Sequence, residues 1–256
     1  MSETRTPIDR LWPDPAADLD DEALLEATRF PAERTWLRAN FVSSIDGAAT
    51  RDGVSGGLGD AADRRLFALL RRTADVVLVG AGTLREEEYG GLRVDEASVA
   101  WRTDAGMSPH PTLAMISRSL DLDPASPLFS DAPVRPIVYT TASASHAARA
   151  ALENVADVVV VGGTDADPRR IRDDLGARGL RRIHAEGGPH VFGALLATGV
   201  VDALHLTLAP SLEAGDAGRI VRGEVAGVLP VEARLQSVLR AGDELLLHYA
   251  LNEALD

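Results

Sequence analysis

Short apolar runs that stop at a glycine or a polar cluster, each followed by a longer stretch with apolar residues every three or four positions, recur along most of this chain. That alternation predicts a mostly parallel sheet with helices on its faces. The runs place strands at 36–42, 75–80, 112–117, 135–140, 157–162, 181–185 and 203–209. Between them, Asp60 is positioned to cap a helix over 61–73 and Thr141 one over 142–154, while Asp167-Pro168 opens a helix that Gly179 can close. After Pro210 the pattern changes. Two runs, 232–239 and 244–251, separated by 240–243, predict an antiparallel hairpin, so the sheet is mixed at one edge. Residues 1–33 follow neither period. Pro7, Pro13, Pro15 and Pro31 interrupt them, a short acidic helix fits 20–28, and the whole reads as an arm packed over a single domain at 34–256. The polar, glycine-containing stretch 90–111 is predicted to be a long loop near the site.

Composition narrows the class. At 256 residues the chain can bury the core of one α/β domain, and the absence of cysteine excludes disulfides, thiolate nucleophiles and cysteine zinc sites. Six histidines show no His-Glu-x-x-His pattern, so no metal is expected. A formal charge of −13 argues against nucleic-acid binding, which draws on Lys and Arg neutralising phosphates, but leaves room for a local basic pocket. The N-terminus carries acids and prolines in place of a basic region and an apolar stretch, and no later apolar run approaches bilayer length. The expectation is a cytoplasmic protein acting on a small molecule, without a membrane partner.

Candidate chemistry gathers at three strand ends, where Ser43-Ser44-Ile45-Asp46-Gly47, Val79-Gly80-Ala81-Gly82-Thr83 and Ala185-Glu186-Gly187-Gly188-Pro189 set polar groups where apolar strands stop. In the third, two glycines let a ligand approach the backbone, and Pro189 suits the first turn of a following helix whose unpaired N–H groups attract phosphate. Gly80 to Arg85 superficially matches the dinucleotide fingerprint, yet Arg85 stands at the third glycine position, which disfavours a conventional Rossmann site. Ser117-Arg118-Ser119 offers a cation and two hydroxyls suited to the 2′-phosphate of NADP, or else an exposed turn. Asp46 and Glu186 could hydrogen-bond a nitrogen heterocycle or cap a neighbouring turn. Arg71 and Arg93 could hold a substrate phosphate or stand in solvent. His184 and His205 lie inside strands and read as core histidines, His190 opens the helix after the glycines, and Ser44 lacks a Gly-x-Ser-x-Gly elbow.

Taken together, Ser43-Ser44-Ile45-Asp46-Gly47, Val79-Gly80-Ala81-Gly82-Thr83-Leu84, Ser117 and Glu186-Gly187-Gly188-Pro189 resemble the pyrimidine reductase domain of bacterial riboflavin biosynthesis, over about residues 35–250. The resemblance implies a dihydrofolate-reductase-like α/β fold, usually a homodimer, that binds NADPH and reduces a ribosylaminopyrimidine phosphate to its ribitylamino product. It implies cofactor contacts at Ser43, Gly57, Thr83, Ser117 and the run Gly188, Pro189, His190, Val191, Phe192, Gly193 and Ala194, with Glu87 a further position. Gly187 and Arg118 join this set from the reading of the glycine turn and of the basic turn. Substrate contacts are implied at Ser55, Arg71, Arg93 and Glu186. Two departures bear on the substrate: Asn40 stands where these enzymes commonly carry Lys, and Glu87-Glu88-Tyr89 where they carry Asp-Asp-Pro. The His-x-Glu and paired cysteines of a zinc deaminase half are absent, so the resemblance is to a stand-alone reductase.

The reading is therefore an NADPH-dependent reductase of an aminopyrimidine-type heterocycle, in which Asp46 and Glu186 are the candidates to orient the ring or manage its protonation and Asn40 is a substrate position. A dihydrofolate or pterin reductase is the alternative within the enzyme class. A non-catalytic NADP-binding regulatory protein is the alternative outside it.

Overall fold

The computed structural model describes residues 6–87, 89–223 and 230–252, so Glu88 of the expected motif departure lies outside the described residues. In chain order the elements are β1 (Asp9–Trp12), α1 (Asp21–Ala27), β2 (Trp36–Ser44), α2 (Ala61–Thr73), β3 (Val76–Gly80), α3 (Ala81–Glu86), α4 (Glu96–Asp104), β4 (Thr112–Ile116) and α5 (Pro127–Ser130), then β5 (Ile137–Thr140), α6 (His146–Leu152), β6 (Asp157–Val160), α7 (Pro168–Ala177), β7 (Arg182–Ala185), α8 (Pro189–Ala197), β8 (Ala203–Ala209), β9 (Arg234–Ala241) and β10 (Glu244–Ala250). One sheet contains every strand, in the order β1-β9-β10-β8-β2-β7-β3-β4-β5-β6. From β8 to β6 the neighbours run parallel, and β10, β9 and β1 complete an antiparallel edge. The expected mixed, mostly parallel sheet with a C-terminal hairpin is the one found.

Strand period explains how both faces fill. Val76 and Leu78 pack with Leu37, Ile183 and Phe192 on one side, while Val77 and Val79 pack with Leu113, Met115 and Val138 on the other, all buried. Helix starts follow the capping expected of Asp60, whose carboxylate accepts from the N–H groups of Ala62 and Asp63, and of Asp167, which accepts from Arg169.

Two local expectations are corrected. The helix predicted over 142–154 begins only at His146, capped by Ser145, because Ala142 and Ser143 donate instead to the carbonyls of Gly162 and Gly163. The predicted loop 90–111 contains α4, which Asp95 caps and Arg102 anchors: this fully buried guanidinium donates to the carbonyls of Arg72, Ala74 and Ser108. A buried arginine reads as polar in sequence, which hides the inward face. Within the arm, β1 pairs with β9 at the sheet edge, and Ile8 and Leu24 are buried against Leu66, Leu70 and Leu239. No described helix is long and apolar enough to cross a membrane.

Candidate active site

The carboxyl ends of β2, β3 and β7 lie side by side at the centre of the sheet, which is where open α/β sheets leave room for ligands. A cavity of about 260 Å³ opens there, with Asn40 and Phe41 from β2, Asp63 and Phe67 from α2, and Glu186 and Gly188 from the end of β7 among its walls.

Glu186 is the most constrained group in this cavity. Arg71 reaches it from α2 with Nε 2.5 Å from Oε1 and Nη2 2.6 Å from Oε2, and the Tyr89 hydroxyl donates to Oε2 at 3.0 Å. The arginine is sandwiched, its guanidinium carbon 4.3 Å from the Phe67 ring centroid and 5.5 Å from that of Tyr89. Burial alone would lower the pKa of Arg71, but the charge and hydrogen bonds of Glu186 outweigh it and raise it, so the guanidinium stays protonated. Burial, followed by the negative charge of Glu186, raises the pKa of Tyr89, which keeps its hydroxyl neutral and donating. The Glu186 side chain is only 2% exposed.

Beside it lies the glycine turn. Gly187 has φ +103°, a conformation that side chains rarely adopt, and the Gly187–Gly188 peptide is cis. A Cβ on Gly80 would meet Val191 Cγ2 at 2.9 Å, and one on Gly188 would crowd Thr83 Oγ1 inside 3.0 Å. Glycine at both places lets two helix starts, α3 after Gly80 and α8 after Gly188, come together. Neither has a side-chain cap, so first-turn N–H groups are left without a capping side-chain acceptor. A second hollow, of about 620 Å³, continues past this point and is lined by Gly82, Ser117, Arg118, Ser119, His190, Val191 and Ala194. An extended dinucleotide fits the residues present: a heterocycle on the Glu186 side, a pyrophosphate over the uncapped helix starts, and a phosphate-bearing ribose beside Arg118.

The structure thus brings Asn40, Ser55, Thr83, Glu87, Glu186, Gly188 and Pro189 to the first cavity, and Ser117, Arg118, His190, Val191 and Ala194 to the second. Ser55 donates to Glu87 Oε1 from both its N–H and its hydroxyl, each at 2.9 Å. Other expected residues are elsewhere. Asp46 is exposed and committed to a turn: it accepts from the Ser44 hydroxyl and from the N–H groups of Glu213 and Ala214, which hold its pKa at about 2. Arg93 is exposed outside the cavity and donates to the Asp131 carbonyl. Arg71 stands behind Glu186 instead of lining the cavity. Ser43 is buried with its hydroxyl on the Ser44 carbonyl, and the Gly57 carbonyl accepts from Arg51. Phe192 stacks on Phe41 in the core, centroids 4.6 Å apart, and Gly193 makes room for the Arg222 carbonyl, so these two face away from both hollows. Gly187 is buried against the Phe41 ring.

Sequence reasoning missed Asp63, Phe67 and Tyr89. The i, i+4 spacing of Phe67 and Arg71 on α2 was the available signal, because it puts ring and guanidinium on one face. Tyr89 entered only as part of the Glu87-Glu88-Tyr89 departure, which assigned its hydroxyl no role.

A mixed α/β sheet with a heterocycle-sized cavity beside two uncapped helix starts is the frame of this site. The chain belongs to the RibD C-terminal domain family, which matches residues 35–247. It is similar to the 2,5-diamino-6-ribosylamino-4(3H)-pyrimidinone 5′-phosphate reductase of Methanothermobacter thermautotrophicus, 28% identical over 225 residues that span 85% of this chain and 99% of the relative. Among solved structures it is similar to a pyrimidine reductase-like protein from Corynebacterium diphtheriae, at 32% identity and TM-score 0.78, covering 86% of this chain and 93% of that one. The riboflavin biosynthesis reductase Rib7 of Saccharomyces cerevisiae shares the fold at TM-score 0.65 and 16% identity, covering 89% and 95% of the two chains.

Proposed function

We propose that this protein is an NADPH-dependent reductase of riboflavin biosynthesis acting on a ribosylaminopyrimidine phosphate. The observation that carries the reading is the Glu186 carboxylate fixed in a heterocycle-sized cavity next to the Gly188 turn. The activity for which the Methanothermobacter relative is named supports the substrate class.

When bound, NADPH supplies a hydride from its nicotinamide. The protein's own part is placement. Glu186 accepts from the amino and ring N–H groups of the pyrimidine, and the Arg71 and Tyr89 donors hold that carboxylate oriented. Asn40 offers an amide NH2 as donor and an amide oxygen as acceptor to the same ring or its sugar. Thr83 and the first turn of α8 hold the pyrophosphate, and Arg118 with Ser117 and Ser119 hold the 2′-phosphate. The protein works as a cytoplasmic homodimer in this reading, supported by the family; sedimentation of the purified chain tests the dimer.

A second reading has one observation in its favour. The first cavity is lined by Asp63, Glu86, Glu87 and Glu186 against a single cation, Arg64, with Asn40 in place of a lysine, and that balance suits a pterin without a phosphate. Steady-state NADPH oxidation with the ribosylaminopyrimidine phosphate and with dihydropterin or dihydrofolate separates the two. Turnover of the pyrimidine alone is expected, and turnover confined to the pterins would replace the first reading by the second.

A further inference from the structure

His184 lies directly beneath the site and takes no part in the chemistry above. It is fully buried on β7, paired in register with Arg38 of the adjacent parallel strand β2. An apolar side chain could fill that sheet position without placing polar atoms in the core. Arg38 is itself buried and tightly held: Nη1 donates to the Thr28 carbonyl at 2.6 Å, Nη2 to the Leu70 carbonyl at 2.6 Å and to Thr73 Oγ1 at 2.9 Å, and the Phe30 ring covers its face at 3.9 Å. Its Nε–H points at His184 Nδ1 from 3.4 Å.

That contact fixes the imidazole. Burial pulls the Arg38 pKa down to about 9, which leaves it protonated near neutrality, and a protonated guanidinium only donates. Nδ1 therefore accepts, and the single proton of a neutral ring sits on Nε2. The ring is neutral because burial, then the charges of Arg38 and Arg71, lower its pKa well below the ordinary value. Nε2 has no hydrogen-bond partner among the described residues, although it is buried. The carboxylate oxygen it faces is Glu186 Oε1, at 3.5 Å, just beyond normal hydrogen-bond length. A buried donor held this close to a carboxylate needs only a small tilt of that carboxylate to be satisfied.

We propose that His184 is a positioning residue for Glu186: fixed by Arg38, its Nε2–H closes onto Oε1 when the carboxylate turns toward a substrate, and so sets the angle at which Glu186 meets the heterocycle. The assignment rests on Glu186 contacting the substrate. It also links the site to the arm, since Thr28, at the end of α1, is one of the groups that hold Arg38.

Two substitutions test it. His184→Leu keeps the volume and removes the donor, whereas His184→Gln restores an N–H near the Nε2 position. With the ribosylaminopyrimidine phosphate, His184→Leu should raise KM for the pyrimidine about tenfold, leave KM for NADPH unchanged, and be rescued to within about threefold by His184→Gln. A folded His184→Leu with wild-type KM, or a glutamine variant no better than leucine, would overturn the proposal. Should the wild type reduce no pyrimidine, the proposed function fails, and ¹⁵N NMR of the imidazole still decides the positioning. That spectrum should show a bare Nδ1 and a protonated Nε2 whose resonance moves in Glu186→Gln. A proton on Nδ1, or an Nε2 resonance indifferent to Glu186, refutes the pairing even if His184→Leu fails to fold.

Discussion

Gly188→Ala is the substitution whose consequence follows most directly from the geometry. The backbone at Gly188 has φ −76° and ψ −174°, open to any residue, so alanine adds no backbone strain. The obstacle is steric: the new Cβ would stand well inside 3.0 Å of Thr83 Oγ1, and the hydroxyl must withdraw by about 1 Å to reach ordinary contact at 3.4 Å. A side-chain hydroxyl can turn away cheaply, so the fold should tolerate the change to within about 1 kcal/mol. Cofactor binding should not. The methyl group and the displaced hydroxyl both occupy the point where the starts of α3 and α8 would receive the pyrophosphate. Losing one hydrogen bond to a charged group there costs about 1.5–3 kcal/mol. That corresponds to about 10- to 150-fold weaker NADPH binding. Calorimetric titration with NADPH, alongside thermal melts of both proteins, reads the two effects separately. An alanine variant that melts like wild type and binds NADPH with wild-type affinity would show that the glycines serve only the turn.

Arg118, 74% exposed in its side chain and 3.5 Å from Asp165, should matter only for the 2′-phosphate: Arg118→Ala is expected to lower the NADPH-over-NADH affinity ratio about tenfold, and an unchanged ratio returns the residue to solvent. Glu244 predicts a pH dependence of stability. It is buried, with Oε2 unpartnered among the described residues, and burial together with Asp60 and Asp63 pushes its pKa up from 4.5 to about 8. Between those values the folded chain keeps a proton that the unfolded chain has lost, so this group makes stability fall as pH rises through the window. Melting temperatures of wild type and Glu244→Gln should therefore diverge toward high pH, with the variant the more stable, and parallel curves would contradict the assignment. Asn40→Lys places a cation among Asp63 and Glu186 in the cavity and should raise kcat/KM for the phosphorylated pyrimidine without a parallel gain for pterins; equal gains for both would remove phosphate recognition as the reason.

Alternation made the sheet legible. The central strands β3, β4 and β5 could be located because they are buried runs of largely apolar side chains, as in Val76-Val77-Leu78-Val79. Elements whose buried face is polar were not legible. Arg102 and Ser98 are both buried on α4, yet neither registers as apolar. At β1 the strand itself buries no apolar side chain and its anchors, Ile8 and Leu19, flank it, so the pairing with β9 depends on long-range register that no local pattern carries. In the site, Glu186 and its glycines could be read because a turn with consecutive glycines has a backbone meaning. Asp46 carried a similar strand-end signal and serves a turn, since an aspartate after a strand satisfies backbone N–H groups as readily as it meets a ligand. Residue type alone could place His184 in the core but could not show that its free nitrogen faces Glu186.

Transfer of the label from NADPH deuterated at C4 of the nicotinamide, read by mass spectrometry of the product, tests the central claim most directly. With the ribosylaminopyrimidine phosphate as substrate, the account predicts a ribitylamino product carrying one deuterium, formed by the wild type and greatly reduced in Glu186→Gln. Tight NADPH binding with no labelled product would contradict it and leave a cofactor-binding protein that is not a reductase of this substrate.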